Sequence, residues 1–299
     1  MALIDYTIYG KIDKIDLAIM NLKMMAPVET GRSDKPYYVA YSGGKDSDVI
    51  RILCDLAGVK HEIWHNHTTA DAPETVRYVR SIPGINISMP DTSMWQLIVK
   101  KKMPPTRLVR YCCSELKERG GQARMVVTGV RRAESTKRAK RKFFESITPD
   151  IKKRTLFDAE QLILNNDNAE NREMVEQCIR QGKVVINPIV DWTDEDVWEF
   201  LNHYGCKSNP LYECGFDRVG CIGCPMASKK RYSEFERYPK YKTLYINAFQ
   251  RMIDANPELY DWKSGEECFA WWMGEIKPSL KNQTTISDIL EDFRWEYDL

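Results

Sequence analysis

The segment SGGKDS, residues 42–47, constrains the fold more than any other part of the chain. It stands between an apolar run at 37–41 and a stretch at 46–56 whose apolar residues recur at helical spacing. The run predicts a buried strand and the spacing predicts a helix, so the segment between them is a tight strand-to-helix turn. Glycines allow positive φ and close approach of a ligand, and a helix N-terminus favours an anion. The segment therefore predicts an anion site in an α/β fold.

Two charged side chains sharpen this prediction. Lys45 adds a positive charge to the turn, and Asp46 can hold Mg²⁺ or cap the helix. The turn does not follow the pattern G-x-x-x-x-G-K-[ST] of the Walker phosphate loop. The alternative interpretation is a glycine turn with an ordinary helix cap and no ligand.

The order of predicted elements indicates the fold class. Strands are predicted at 37–41, 61–67, 85–89, 125–130 and 184–190, with helical stretches between the first four. Such alternation predicts βαβ units and a doubly wound, mostly parallel sheet. Ligands of such sheets bind at the carboxyl ends of strands. SGGKDS, HNHTTAD, GVRRAES and NPIVDWT all follow predicted strands, so we expect them to surround one site.

The chain is predicted to have three parts, namely an N-terminal helix within 1–30, an α/β domain at 31–227 and a helical C-terminal region at 228–299. Within the domain, 137–183 is an insertion that is basic first and then rich in asparagine, which predicts a lid or a partner-binding arm. Residues 131–154 contain ten Lys or Arg and three Asp or Glu. This run is either a solvated face or a contact for polyphosphate or a nucleic-acid backbone.

Composition indicates a soluble globular protein, with 43% hydrophobic residues, a mean hydropathy of −0.49 and a net charge of +1. No apolar run reaches the length of about 18 residues that a membrane span needs, and the first residues lack the apolar region of a signal peptide. Nine cysteines without such a signal favour a reducing, cytoplasmic location, where cysteines bind metal or react.

Cysteines in the loop 206–225 predict a metal site. Cys214, Cys221 and Cys224 lie within eleven residues, and a CxxC pair can turn two sulfurs toward one metal. The fourth ligand must come from elsewhere, and the candidates are Cys112, Cys113 and Cys206. The alternative is a set of buried thiols without metal. His65, His67 and His203 are interpreted as packing or hydrogen-bonding residues.

Five motifs follow one another along the chain, namely SGGKDS, PET after the second strand, RYCCSELK, GVRRAES with a trailing Arg138, and GCIGCP. Together they resemble the phosphoadenosine-phosphosulfate (PAPS) reductase family of the PP-loop ATP-pyrophosphatase superfamily, over about residues 37–225. Sulfurtransferases of the DNA-phosphorothioation type are among the similar members. The resemblance implies an adenine nucleotide alpha hydrolase-like fold and a bound adenine nucleotide, which is ATP with Mg²⁺ or the sulfonucleotide PAPS or APS.

The resemblance also implies roles for particular residues. The phosphate-cradling loop matches Ser42, Gly43, Gly44, Lys45, Asp46 and Ser47. Gly129 matches a glycine that keeps a strand end open. The basic residues around the anionic end of the nucleotide match Lys117, Arg131, Arg132 and Arg138, and a planar guanidinium suits phosphate oxygens. The predicted catalytic roles are Lys45 for the β- and γ-phosphates, Asp46 for Mg²⁺, and Arg131 and Arg132 for the remaining oxygens.

In cluster-bearing members of that family, a CC pair joins a later CxxC around a four-iron, four-sulfur cluster. Residues 112–113 and 221–224 match this arrangement, and Cys214 offers an extra ligand. The predicted ligands are Cys113, Cys214, Cys221 and Cys224, with Cys112 and Cys206 as substitutes. Zinc is the alternative metal, since four thiolates also suit a structural Zn²⁺ site.

Three functions follow from these expectations. The favoured one is an ATP pyrophosphatase that adenylates an acceptor, DNA or tRNA through the basic insertion, for sulfur transfer from a donor such as a cysteine desulfurase. The second is sulfonucleotide reduction, in which a cysteine thiolate attacks the sulfate sulfur. Reductases of the family carry that cysteine in a Glu-Cys-Gly motif near the C-terminus, whereas here the last cysteine is Cys268 in GEECFAWW. The third is a nucleotide-sensing, DNA-binding subunit without catalysis.

Overall fold

A computed structural model of the chain describes residues 1–7, 10–134, 138–147 and 183–276. Most of the predicted insertion at 137–183 and the last part of the predicted C-terminal region, 277–299, lie outside the described residues. Where the chain is described, no helix combines the length and apolar character needed to cross a bilayer.

The N-terminal part contains a short hairpin before its helix. Strands β1 (Ile4–Thr7) and β2 (Gly10–Asp13) pair antiparallel, and α1 (Lys14–Met25) follows directly. The Asp13 side chain accepts a hydrogen bond from Ile15 N at 2.9 Å and so caps this helix. The hairpin was not predicted, because the helical spacing of isoleucines continues upstream into β2.

A six-stranded sheet forms the centre of the molecule. Its strands are β3 (Tyr37–Ala40), β4 (His61–Asn66), β5 (Ile85–Ser88), β6 (Met125–Val127), β7 (Phe144–Ile147) and β8 (Lys183–Ile186). The helices between its first strands are α2 (Lys45–Ala57), α3 (Pro73–Arg80) and α4 (Met94–Lys100). The strand order is β5-β4-β3-β6-β8-β7, and every pair is parallel except β7 with β8. The predicted α/β fold with a mostly parallel sheet is confirmed.

This strand order creates a crevice beside the predicted anion site. From β3 the chain moves to β4 on one side, and later returns to place β6 on the other side. The connections that leave β3 and β6 therefore diverge, and such a switch point is where open α/β sheets bind ligands. SGGKDS follows β3 and GVRR follows β6, so both motifs lie at the same switch point.

Strand β7 lies within the predicted insertion, where no strand was expected. Its residues pair with β8 in the register Phe144↔Ile186 and Glu145↔Val185. An antiparallel edge strand covers the open backbone groups of the parallel strand beside it. The described beginning of the insertion is therefore part of the sheet.

The C-terminal helices are α5 (Asp194–His203), α6 (Lys230–Arg237), α7 (Pro239–Ala255) and α8 (Gly265–Met273). Helix α5 packs with α1 and α2 in one apolar core, whereas α7 and α8 form a second core with α4. The Tyr245 hydroxyl donates to the carbonyl of Ile222 at 3.0 Å, and Trp272 Nε1 donates to the carbonyl of Pro105 at 2.6 Å. The first contact ties the second core to the loop that bears Cys221 and Cys224, and the second ties it to the segment that follows α4.

Candidate functional site

The SGGKDS turn is held in shape by its neighbours. Gly43 has a φ of +78°, and a Cβ at this position would lie 2.9 Å from Val79 Cγ2, so only glycine fits without strain. Asn209 Nδ2 donates to the Gly43 carbonyl at 2.9 Å. Gly44 caps α2, and its N–H donates to Ser47 Oγ at 3.0 Å. The backbone of the turn is therefore preorganised.

Two cations and two carboxylates meet at the start of α2. Arg131 Nε donates to Asp46 Oδ1 at 2.7 Å, and its Nη2 donates to Asp194 Oδ1 at 2.5 Å. Lys45 Nζ lies 3.2 Å from the same oxygen of Asp194. The side chain of Arg131 is 2% exposed and that of Asp194 is 61% exposed. Asp194 therefore sits at the mouth of the site, in front of both cations.

The charges keep Asp194 ionised. Burial acts to raise the pKa of this carboxyl, but the Arg131 hydrogen bond and the charges of Lys45 and Arg131 outweigh it and lower the pKa. A phosphate could take the place of this carboxylate between Lys45 and Arg131, since both prefer anionic oxygens. Asp46 and Asp194 supply the oxygen ligands that Mg²⁺ prefers.

The sequence did not single out Asp194. The signal was present, because the residue follows β8 as SGGKDS follows β3 and GVRR follows β6, and it opens the helix α5. No role was predicted for Asp194, although the motif NPIVDWT just before it was placed at a strand end.

Gly129 lies against the start of α2, as its predicted role requires. A Cβ at this position would lie 2.8 Å from the backbone oxygen of Asp46 and 2.9 Å from its Cβ. We expect Gly129→Ala to lower the free energy of unfolding by about 1–3 kcal/mol, the usual cost of overpacking, and to weaken ATP binding by moving Asp46. Denaturant unfolding and equilibrium ATP binding measure the two effects. Gly220→Ala is the control, because a Cβ there meets nothing within 4 Å. Equal losses in both variants would contradict the packing argument.

Tyr212 joins the cysteine-bearing loop to the turn. Lys45 N donates to the Tyr212 hydroxyl at 3.0 Å, and Lys45 Nζ lies 5.6 Å from the centre of the tyrosine ring. Trp198 of α5 packs edge-on against this ring, with the ring centres 5.1 Å apart. This contact joins residues 167 positions apart, so no local sequence pattern could have predicted it.

Asp48, one turn into α2, is a second link to that loop. It is fully buried and accepts hydrogen bonds from Tyr41 Oη at 2.5 Å, Tyr78 Oη at 2.9 Å and Ser208 Oγ at 2.6 Å. Burial raises the pKa of this carboxyl above its ordinary value of 3.8, although the three hydroxyls act in the opposite direction.

This raised pKa gives stability a defined pH dependence. The folded protein holds the Asp48 proton at pH values where the unfolded chain has released it, so Asp48 favours folding most below pH 3.8. Its contribution falls as the pH rises through the folded pKa. We therefore expect the melting temperature of Asp48→Asn, relative to the wild type, to increase as the pH rises from below 3.8 toward neutrality. Thermal melts over this range test the prediction, with the exposed Asp34→Asn as control. A pH-independent difference between Asp48→Asn and the wild type would contradict it.

Four cysteines lie near one another in the fold, namely Cys112, Cys113, Cys221 and Cys224. Cys112 and Cys113 are hydrogen-bonded to each other, and the charges of Cys221 and Cys224 act on the pKa of Cys112. Arg110 Nη2 donates to Cys113 Sγ at 3.2 Å. The hydrogen bond from Cys112, with the charges of Arg110 and Lys117, lowers the pKa of Cys113 to about 5 against the effect of burial. These surroundings favour the thiolate form of Cys113.

Lys117 belongs to this cysteine group. The charge of Cys221 is the largest cause of the raised pKa of Lys117, and the charges of Asp71 and Cys113 raise this pKa further. Burial of the ammonium acts in the opposite direction. The Lys117 carbonyl accepts a hydrogen bond from Asn66 Nδ2 at 2.7 Å, which ties this residue to β4. Its ammonium compensates thiolate charge, and its predicted role at the nucleotide stays a prediction.

The other predicted ligands have different surroundings. Cys214 is exposed, and its Sγ accepts from Arg237 Nη2 at 3.5 Å. Cys206 is half-buried, with its Sγ 4.0 Å from the Tyr78 hydroxyl. The structure thus brings Cys113, Cys221 and Cys224 of the predicted set together, and it adds Cys112 to them.

Two of the predicted phosphate-binding arginines, Arg132 and Arg138, form ion pairs with residues outside the SGGKDS turn. Arg132 forms an ion pair with Asp191, and its Nε donates to the carbonyl of Arg141 at 2.8 Å. Arg138 forms an ion pair with Glu134. Arg131 is the predicted arginine that contacts the turn directly, and the roles of Arg132 and Arg138 stay predictions.

Two relatives that match over more than half of this chain have names that assign no activity. An uncharacterised protein of Methanocaldococcus jannaschii is 26% identical over 85% of this chain and 54% of its own length. An uncharacterised 37.8 kDa protein of Escherichia phage 186 is 30% identical over 55% of this chain and 43% of its own length. The chain thus spans about half the length of these curated relatives.

The phosphoadenylyl-sulfate reductase of Candida auris, solved with phosphate, shares 16% identity over 74% of this chain and 98% of its own, with a TM-score of 0.40. That score is too low to carry a functional argument. The family model for the phosphoadenosine phosphosulfate reductase domain matches residues 36–227, which is more than half of the chain. With the PP-loop turn at the switch point of its sheet, the chain belongs to the phosphoadenosine phosphosulfate reductase domain family.

Proposed function

We propose that the chain is an ATP pyrophosphatase that adenylates an acceptor for sulfur transfer. The observation that carries this proposal is the group of Lys45, Asp46, Arg131 and Asp194 at the start of α2. It offers two cations for phosphate oxygens and two carboxylates for Mg²⁺ in one place. A site that only binds an anion needs no carboxylates there.

The residues suggest how the reaction proceeds. Lys45 and the start of α2 bind the β- and γ-phosphates, and Arg131 binds an oxygen nearer the α-phosphate. An acceptor oxygen attacks the α-phosphorus, a new P–O bond forms, and the bond to the departing pyrophosphate breaks. Both cations stabilise the negative charge that develops on the leaving group. Mg²⁺, held by Asp46 and Asp194, would supply further charge neutralisation.

The cysteine group fits a four-iron, four-sulfur cluster. A CC pair and a CxxC pair supply four thiolates, namely Cys112, Cys113, Cys221 and Cys224, and Lys117 offsets part of their charge. A four-iron, four-sulfur cluster at these residues would supply sulfur-binding chemistry beside the nucleotide. Zinc is the alternative metal, since four thiolates also suit a structural Zn²⁺ site.

The last cysteine argues against a reductase. Cys268 lies in α8 and is fully buried, and burial raises the pKa of its thiol well above the ordinary range. A nucleophile must be accessible and ionised to attack a sulfate sulfur. Cys268 meets neither requirement.

The acceptor that we propose is DNA or tRNA, with sulfur supplied by a donor protein such as a cysteine desulfurase. The support is the basic run at 131–154, of which residues 131–134 and 138–147 are described. In this run Arg132 Nε donates to the carbonyl of Arg141 at 2.8 Å, and Arg132 and Arg141 form ion pairs with Asp191 and Glu145. We propose that phosphate oxygens of a nucleic-acid backbone replace these carboxylates on binding.

Pyrophosphate release tests the proposal. Protein purified without oxygen is given Mg-ATP, alone and with DNA or tRNA, and pyrophosphate is measured with time. We expect release that nucleic acid raises. Release of no pyrophosphate under any condition would sink the proposal, and formation of a covalent S-sulfonate from PAPS or APS would instead establish the reductase.

A further inference from the structure

A second group of metal-ligand residues lies between the turn and the cysteine group. His65 and His67 are at the end of β4, and Asp71 lies in the connection to α3. One ligand atom from each residue lies within 4.8 Å of the others. His65 and Asp71 are buried, and His67 is partly exposed. None of the roles argued above uses these side chains.

The spacing of the donor atoms suits one small divalent ion. His67 Nδ1 lies 3.1 Å from Asp71 Oδ2, and His65 Nε2 lies 3.8 Å from the same oxygen. A tetrahedral zinc ion with ligands at about 2.0–2.1 Å holds neighbouring donors about 3.3 Å apart. The two observed separations lie on either side of that value, so small side-chain shifts would complete the geometry.

The hydrogen bonding of His65 points to a ligand. Its Nδ1 lies 3.0 Å from the carbonyl of Tyr41, which can only accept, so Nδ1 carries the proton. Its Nε2 is then a neutral acceptor, and this buried atom has no hydrogen-bond partner. A histidine that donates one ring N–H to a carbonyl and offers the other nitrogen is the usual arrangement of a metal ligand. An orphaned buried nitrogen is otherwise costly.

We propose that His65 Nε2, His67 Nδ1 and Asp71 Oδ2 form a binding site for a divalent cation of the zinc class. Two imidazoles and one carboxylate suit such an ion. His65 and His67 also line a small pocket with Val76, Arg80 and Met89. The fourth coordination position can therefore be reached by water or a small ligand.

The nearby charges set limits on the affinity. The positive charge of Lys117 interacts with the Asp71 carboxylate and so disfavours binding of a further cation there. The same ammonium also interacts with Cys113, Cys221 and Cys224, so its charge is shared among these groups. Thr68 N donates to Asp71 Oδ2 at 2.7 Å and fixes the carboxylate. The site is thus rigid and carries one formal negative charge when both histidines are neutral.

The position of the site suggests that its ion is structural. His65 is bonded to Tyr41, which directly precedes SGGKDS, and Asp71 pairs through its backbone with Cys221. Thr68 Oγ1 also accepts from Cys221 Sγ at 3.4 Å. An ion at this site fixes the nucleotide turn and the cysteine group relative to each other. This inference does not depend on the proposed reaction.

Zinc binding to the full chain tests it. The protein, purified without oxygen, is equilibrated with Zn²⁺ and desalted, and zinc per chain is measured for wild type, His67→Gln and Asp71→Asn. We expect each variant to bind this zinc at least about 100-fold more weakly. The loss of a residue that only hydrogen-bonds to a metal ligand already lowers metal affinity about 10–100-fold. His61→Gln is the matched control, because His61 begins the same strand but contacts the Val59 carbonyl at 2.9 Å and Asp55 at 3.3 Å rather than the proposed ligands. It is expected to keep wild-type zinc.

X-ray absorption separates this site from the cysteines without any substitution. We expect the wild-type zinc spectrum to contain nitrogen and oxygen neighbours at about 2.0–2.1 Å, in addition to any sulfur at about 2.3 Å. Sulfur neighbours alone, or equal zinc in wild type and both variants with unchanged circular dichroism, would overturn the proposal. If Asp71→Asn fails to fold, His67→Gln and the wild-type spectrum still decide it.

Discussion

Lys45→Ala is expected to lower the rate of pyrophosphate release from Mg-ATP by about 10²–10³-fold, the usual effect of removing one preorganised group that stabilises developing charge. Lys45 is buried at the start of α2, and its ammonium already faces the Asp194 carboxylate at 3.2 Å. The substitution leaves Asp194 and Arg131 in place but removes one of the two cations. Steady-state kinetics at saturating ATP measure the loss.

The control for this prediction is Lys23→Ala on the exposed face of α1. This variant loses the same charge far from the turn in sequence and is expected to release pyrophosphate at the wild-type rate. A Lys45→Ala enzyme with an unchanged rate would show that the turn does not bind the reacting phosphates. A loss in both variants would point to net charge rather than to the site.

Cys112→Ser is expected to remove nearly all iron from protein purified without oxygen, whereas Cys214→Ser is expected to keep it. Cys112 lies with Cys113, Cys221 and Cys224, and a cluster that loses one of four thiolates is poorly held. Cys214 is exposed beside Arg237. Iron and acid-labile sulfide per chain, with the visible absorption of the cluster, measure the result.

The opposite outcome is equally informative. If Cys214→Ser loses iron and Cys112→Ser keeps it, the ligand set inferred from sequence spacing is right and the loop must rearrange when iron binds. If neither variant loses iron, the cysteine group is not the cluster site. Zinc in place of iron in the wild type would favour the alternative metal.

The sequence alone predicted those parts of the site that are formed by short continuous segments of the chain. SGGKDS lies between a strand and a helix because a short continuous apolar run gives way across it to apolar residues at helical spacing. The carboxyl ends of β3 and β6 were expected at one edge of the sheet because the strands of a doubly wound sheet run parallel. The role predicted for Gly129 came from the family resemblance and not from strand geometry.

The remaining parts depend on contacts between distant segments. Asp194, Asp48 and Tyr212 act through partners that only the folded chain provides, and their local sequence is that of ordinary helices and loops. The spacing of the cysteines could not decide whether Cys112 or Cys214 is a ligand, because cysteines that are close along the chain need not have sulfurs that are close in the fold. His65 and His67 alternate along a strand, which by itself indicates only a shared face.

One loop touches both halves of the site, and thermodynamic reciprocity follows from it. Ser208, Asn209 and Tyr212 bond to α2 and the turn, and the same loop continues to Cys221 and Cys224. If a ligand bound to the cysteine group changes the affinity of the protein for nucleotide by some factor, a bound nucleotide changes the affinity of the cysteine group for its ligand by the same factor. The equilibrium iron content of the protein, measured against a competing chelator, would then depend on nucleotide concentration by that same factor.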